Sequence, residues 1–251
     1  MRLTFLGTGT STGVPQLRCN CATCTSADPR DKRLRCSAMV ETAGRRILID
    51  CGPDFREQML RVGSPDLDAL LLTHIHYDHV GGIDDLRPWC RGDRHFPVYC
   101  TADVERDLRD RLPYCFVEHP YPGVPAFSMR RVLPDRPFDV GGVEVTPLPV
   151  MHYKLPIIGF RIGALAYITD AKVIPDSTMA LLKGVDTLVV NALRIDEHLS
   201  HMNLEQALEI AARVGARRTY LTHISHGMPR HADVALPEGV ALACDGLTVS
   251  L

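Results

Sequence analysis

The sequence predicts an α/β fold in a single domain spanning residues 1–251. Three observations carry that expectation. Short apolar runs alternate with segments of helical pattern, as βα units require. Several of those runs stop at histidine or aspartate, which places polar chemistry at strand ends. A length of 251 residues with 45% hydrophobic content is enough to bury a substantial core.

Residues 2–6 read as a first strand, followed by the loop Gly7-Thr8-Gly9-Thr10-Ser11-Thr12-Gly13. No Gly-Lys-Ser/Thr stands at the offset a phosphate loop needs and no helical pattern begins there, so the glycines are read as serving a tight loop. Cys19, Cys21 and Cys24 then fall within six residues, in a polar setting that argues against a core role. A redox pair or three ligands of a structural zinc remain, and zinc would need a fourth donor from elsewhere in the chain. A charged loop over 26–33 leads to a hairpin of residues 36–42 and 46–50, turning at Ala43-Gly44. Its second strand delivers Asp50, which could cap a helix expected over 54–61 or orient a metal-bound imidazole.

The apolar run 69–72 carries the densest chemistry, because Thr73-His74-Ile75-His76-Tyr77-Asp78-His79 follows it directly. His74 and His76, two apart, project to the same side of an extended chain, while Asp78 and His79 lie past a bend and can face a second ion. Nitrogen and oxygen donors at this density are read as a metal motif rather than as solvated loop side chains. Asp84-Asp85 marks a helix start, residues 97–100 a strand and 102–112 a charged helix. Six prolines between 113 and 137, counting both ends and Pro120, mark irregular surface structure, either a lid or a plain connector. Strands over 143–150, 157–162 and 164–169 follow; the first runs into His152 and Lys154, and the last ends at Asp170. A helix over 176–182, a strand over 187–191, a helix over 204–214 and a strand over 218–222 ending at His223 complete the alternation. Asp245-Gly246 reads as the turn of a final hairpin.

Separate strands thus end in His74, His76, Asp78 and His79, in His152, in Asp170 and in His223, seven donors for two metal sites. In this order the residues resemble the metallo-β-lactamase superfamily, over nearly the whole chain. The resemblance implies an αββα sandwich of two mixed β-sheets flanked by helices. It implies His74, His76 and His152 on one metal, Asp78, His79 and His223 on the other, Asp170 bridging them, and Asp50 as the aspartate that supports the ligands from behind. Within the superfamily the chain is most similar to the PhnP-like phosphoribosyl 1,2-cyclic phosphate phosphodiesterases, through Gly13-Val14-Pro15 with the CxCxxC, His152-x-Lys154-Leu155 and Leu221-Thr222-His223-Ile224-Ser225-His226. That similarity implies that Cys19, Cys21, Cys24 and His226 hold a zinc apart from the active site. It also gives His201 a role near the scissile phosphate, with His198 a nearby competitor. Asn203 is a good N-cap for the following helix, so His201 lies just outside it, free to face a cleft.

The activity implied is a phosphodiesterase acting on a small cyclic diester such as a phosphoribosyl 1,2-cyclic phosphate. Two divalent cations about 3.5–4 Å apart would lower the pKa of a shared water for in-line attack. Asp78 and His201 are the expected catalytic groups, His201 as general acid on the leaving alkoxide. Lys154 would bind a non-bridging oxygen or remain solvated. Nitrogen and oxygen ligands admit Zn, Mn or Fe in the pair, whereas three thiolates and an imidazole favour Zn. A tRNA 3′-processing endonuclease is disfavoured, since 17 residues between His152 and Asp170 leave little room for an RNA-clamping arm and a net charge of −2 offers no basic footprint. A lactonase or thioester hydrolase would use the same metals on a carbonyl, and a non-catalytic accessory protein could be built on the same fold. An odd count of nine cysteines, a brief N-terminal apolar stretch and the lack of 18 uninterrupted apolar residues lead to the expectation of a soluble cytoplasmic protein with reduced thiols. A small diester is the expected partner, with neither nucleic acid nor membrane; the oligomeric state, a homodimer included, is left open.

Overall fold

A computed structural model describes residues 1–90, 95–119 and 121–251. In chain order its strands are β1 (Arg2–Gly7), β2 (Ser37–Thr42), β3 (Arg45–Ile49), β4 (Ala69–Leu71), β5 (Phe96–Cys100), β6 (Phe127–Arg131), β7 (Phe138–Val140), β8 (Val143–His152), β9 (Leu155–Ile162), β10 (Leu165–Tyr167), β11 (Thr187–Asn191), β12 (Arg218–Thr222), β13 (Val240–Leu242) and β14 (Thr248–Ser250). The helices are α1 (Phe55–Arg61), α2 (Tyr77–Val80), α3 (Ala102–Arg111), α4 (Asp176–Leu181) and α5 (Leu204–Val214). Two seven-stranded sheets result, β14-β1-β2-β3-β4-β5-β6 and β13-β12-β11-β10-β9-β8-β7. Each mixes antiparallel and parallel pairs: β3 through β6 run parallel in the first, β10 through β13 in the second.

The continuous apolar runs follow from burial on both faces of each sheet. Ile47 and Ile49 of β3, and Ala69 and Leu71 of β4, face the core between the sheets, while Leu48, Leu70 and Leu72 face outward beneath the helices. The second sheet repeats the pattern: Val189 faces the inter-sheet core, and Leu188 and Val190 face outward. Helix α5 covers that outer face through Leu204, Ala207, Ile210 and Val214, spaced three and four apart. Asn203 and Gln206 close its N-terminus in a capping box, and Gly215 ends it at φ 65°. Helices therefore flank a pair of packed sheets, the αββα sandwich. Among the described residues, no helix is long and apolar enough to cross a membrane.

Several local expectations change. The stretch 113–137 is not wholly irregular, since β6 lies within it and extends the first sheet parallel to β5, and β7 directly follows; Pro120 lies outside the described residues. The segment after Gly82 is a 3₁₀ helix, Ile83–Trp89, with Pro88 inside it. Asp245-Gly246 does not turn a hairpin: β13 pairs with β12 in one sheet and β14 with β1 in the other. Asp245 instead accepts from the Thr8 and Leu34 N–H groups at 2.9 and 2.7 Å, tying the crossing segment to the first loop.

The metal motif is pinned to the first sheet by backbone. Cys51 N–H donates to the His79 carbonyl at 2.7 Å, and Gly82 N–H to the Cys51 carbonyl at 2.9 Å. Gly52 fits because a Cβ there would lie 2.0 Å from the Asp78 carbonyl oxygen. Gly52→Ala should cost about 1–3 kcal/mol by overpacking and push Asp78 and His79 out of line. Thermal unfolding and metal analysis check this; an unchanged melting temperature with full metal content would refute the tight approach.

Candidate metal centre

The strand ends of both sheets meet at one rim. Three of the residues that turn there, Asp50, Asp170 and His223, have φ of 60°, 57° and 56°, the left-handed region that non-glycine residues seldom occupy. Each such residue costs of the order of 1–3 kcal/mol and persists only where its surroundings over-determine it. Here the backbone is held at or just after each of them: Asp50 N–H donates to the Leu71 carbonyl, Ala171 N–H to the Asn191 side chain, and Ile224 N–H to the Thr8 carbonyl.

His74, His76 and His152 form one group whose donor atoms all lie within 4.8 Å of one another. Asp78, His79, Asp170 and His223 form a second, within the same limit. Asp170 reaches further, because it also groups with His152 and His201. Its Oδ2 lies 3.3 Å from His79 Nε2, and its Oδ1 lies 3.0 Å from both His223 Nε2 and His201 Nε2. The carboxylate thus stands between the two groups.

Hydrogen bonds behind three of the rings decide which nitrogen faces inward. His74 Nδ1 meets Thr73 Oγ1 at 2.9 Å, His79 Nδ1 meets Asp50 Oδ2 at 2.7 Å, and His152 Nδ1 meets the Ser200 carbonyl at 2.9 Å. The Asp50 and Ser200 oxygens only accept, and the Thr73 hydroxyl proton is taken by Asp50, so each Nδ1 donates and each Nε2 keeps a lone pair. Nε2 of His74 is buried without a hydrogen-bond partner, and Nε2 of His79 and of His223 meets only carboxylate oxygens, at 3.0–3.5 Å and outside hydrogen-bond geometry. Buried orphan lone pairs are costly, and divalent cations are the partners this donor set fits.

The electrostatics agree with that fit. Burial raises the Asp170 carboxyl, but His223, His79 and His201 outweigh it and hold it well below its ordinary range. Asp78 is likewise pulled down against burial by His79 and His223. Burial lowers His79, and Asp170, Asp50 and Asp78 override it, so that imidazole is pushed well above its ordinary value and a proton on Nε2 competes with a cation for that position. Burial drives His74 the other way, to well below. Three buried carboxylates in one place set up a local negative potential that suits cations.

Asp50 sits behind His79 rather than at a helix end. Its Oδ1 accepts from Thr73 N–H at 2.9 Å and its Oδ2 from Thr73 Oγ1 at 2.9 Å, so one carboxylate supports His79 directly and His74 through Thr73. The N-cap position of α1 belongs to Asp54, whose carboxylate pairs with Arg35. Thr73 and Ser200 were not among the expected site residues. A hydroxyl directly before the first candidate liganding histidine was the available signal for Thr73; the Ser200 contact to His152 runs through a carbonyl, which no residue type announces.

His201 lies outside the two main groups, stacked on His223 at 4.9 Å between ring centroids. Burial pulls its pKa down to about 4 against the opposing influence of Asp170. Lys154 is exposed in the two-residue turn between β8 and β9, its ammonium 5.3 Å from the Tyr153 ring centroid.

Cys19, Cys21, Cys24 and His226 gather elsewhere, again with all four donor atoms within 4.8 Å. Cys19 and Cys21 Sγ lie 3.3 and 3.5 Å from His226 Nδ1, and Gln16 N–H donates to Cys24 Sγ at 3.3 Å. The Cys24 N–H and then His226 draw the Cys21 thiol down to about 6, while burial pushes Cys24 up to about 11. Four soft and borderline donors in a closed set suit a structural zinc.

Two expected outcomes follow from this geometry. Asp170→Asn should deplete the rim of metal while the fold survives, because it weakens the carboxylate between the two groups; unchanged occupancy by elemental analysis would contradict the shared position. Cys21→Ser should chiefly lower thermal stability and remove one tightly held zinc, leaving a second class of metal that exchanges under mild chelation. Full stability in Cys21→Ser would contradict a structural role.

The family model for the β-lactamase superfamily domain matches residues 45–224. A crystal structure of a diphosphatase from the PhnP family has a TM-score of 0.93 and 41% identity, covering 100% of this chain and 97% of that one. An octanoyltransferase of Porphyromonas gingivalis is 47% identical over 98% of this chain, but the chain spans only 51% of that protein's length. A ribonuclease Z of Mycobacterium avium is 29% identical over 78% of this chain and 81% of that protein. The chain belongs to the metallo-β-lactamase superfamily of metal-dependent hydrolases and, within it, to the PhnP family.

Proposed function

We propose that the protein is a dinuclear-metal phosphodiesterase for a small cyclic diester, a phosphoribosyl 1,2-cyclic phosphate being the first candidate. The observation that carries this reading is the imidazole of His201, which is outside the seven candidate ligands yet 3.0 Å from the Asp170 carboxylate that stands between the two ligand groups. When bound, two divalent cations would supply Lewis-acid charge and a lowered pKa for an attacking water.

His74, His76 and His152 would hold one ion, Asp78, His79 and His223 the other, and Asp170 both. Asp50 keeps the His79 ring turned inward. His201, drawn down to about 4 by burial, would be raised by the negative charge of a bound diester and would then present a proton on Nε2, the nitrogen on the Asp170 side, to its leaving oxygen. Lys154, at the exposed turn beside His152, would meet a non-bridging oxygen as a point charge. Zn, Mn or Fe suits the nitrogen and oxygen ligands of the rim, and Zn suits the thiol site.

Two observations favour a small phosphorus substrate. The residues between His152 and Asp170 are taken up by β9 and β10, so no arm is inserted there to clamp RNA. The PhnP-family relative is named a diphosphatase, which points to chemistry at phosphorus. Carbonyl hydrolysis is the second reading, favoured by the octanoyltransferase name of the relative that is 47% identical, although this chain matches only half of that protein.

Leaving-group dependence separates the two readings. An alkoxide leaving group depends on a proton donor, whereas a nitrophenolate leaves without one. His201→Ala should therefore lose roughly 10²–10⁴ in rate on an alkyl or cyclic ribose diester and far less on a nitrophenyl diester, at constant metal content. Equal slowing on both would make His201 a phosphate-binding group. Efficient hydrolysis of a lactone or an octanoyl thioester by the parent protein, with neither diester affected by the substitution, would overturn the phosphodiesterase.

A further inference from the structure

The side chains of His198 and Ser200, in the segment between β11 and α5, have no part in the chemistry above, yet this segment contacts both a candidate ligand and the candidate acid. The Ser200 carbonyl accepts from His152 Nδ1 at 2.9 Å. Its hydroxyl lies 3.0 Å from His201 Nδ1 and 3.2 Å from His198 Nδ1, and its N–H donates to His198 Nδ1 at 3.3 Å. His201 Nδ1 and His198 Nδ1 are 3.1 Å apart. These polar contacts of His201 with the segment fall on Nδ1, and the opposite nitrogen, Nε2, is the one that meets Asp170.

An imidazole can pivot about its χ2 bond, which is broad and two-fold, and a ring that flips exchanges Nδ1 for a carbon. Contacts from Ser200 and His198 at Nδ1 oppose that flip and leave Nε2 toward the rim. The same peptide bears on His152, so ligand and acid are registered to one short segment.

We propose that Ser200 and His198 are positioning residues that hold His201 by Nδ1 and so fix Nε2 on the metal side; the proposal rests on the reading of His201 as the acid. Ser200→Ala removes the hydroxyl and leaves the carbonyl that supports His152. His198→Asn keeps an acceptor where His198→Ala does not, because the amide oxygen can stand where Nδ1 stood.

The test compares Ser200→Ala, His198→Ala and His198→Asn with His201→Ala in the metal-loaded protein. It measures kcat and KM separately on an alkyl and a nitrophenyl diester, together with metal content and the ¹⁵N resonances of the His201 ring. The loss of an outer supporting contact to an active-site histidine should lower kcat on the alkyl diester about 10–100-fold in Ser200→Ala and His198→Ala. KM, metal content and the nitrophenyl rate should hold, His198→Asn should retain most of the activity, and the His201 resonances should shift in Ser200→Ala. Equal slowing on both diesters, loss of metal, or unmoved His201 resonances would overturn the proposal. A slow His201→Ala beside normal rates in Ser200→Ala and His198→Ala would overturn it alone. A normal rate in His201→Ala would overturn the acid reading and this proposal with it.

Discussion

The buried Asp50 carboxylate is the constraint from which the rest of the rim is set. A carboxylate with no exposure to water is tolerable only where its oxygens are fully engaged, and here Thr73 and His79 engage both. Because Thr73 N–H and hydroxyl are both committed to Asp50, the chain leaving β4 is held at the point where the ligands begin. His74 is then turned by the Thr73 hydroxyl and His79 by Asp50 itself. One buried charge thereby orients a candidate ligand in each donor group, and the cations that suit those groups would in turn balance its field.

The two sheets divide the labour. The first supplies His74, His76, Asp78 and His79 with their support, and the second supplies His152, Asp170 and His223. Neither set is complete without the other, so the inter-sheet core is also what aligns the donors. Leu3, Phe5, Ile47, Ile49 and Leu71 from one side pack with Ile158, Phe160, Tyr167 and Val189 from the other. Tight packing of this kind transmits displacement instead of absorbing it, which makes a metal rim of this precision compatible with residues drawn from points 149 apart in sequence, from His74 to His223.

Much of this was readable in the chain because strands with both faces buried are nearly all apolar, and a polar residue at their end stands out. His74 through His79, His152, Asp170 and His223 all announce themselves in that way, and the long helices do so by their spacing and caps. The edge strands β6 and β7 did not, because Phe127–Arg131 carries two arginines and follows a proline-rich stretch, and Phe138–Val140 is three residues long. Asp245-Gly246 carries a turn signature, but a local turn signal does not say which sheet the next strand joins. The positive φ at His223 was equally hidden, since that conformation is imposed by the contacts of the neighbouring Ile224 with the first loop and not by the residue itself.

The three left-handed residues at the rim have a consequence for how this protein can change. Glycine at Asp50, Asp170 or His223 would relieve backbone strain and, in the same step, delete a carboxylate or a candidate liganding ring. Thermostability and metal retention therefore pull in opposite directions at these positions. A selection for heat resistance alone would drift toward a better-rested scaffold with an idle rim, whereas a selection for turnover must keep the strain.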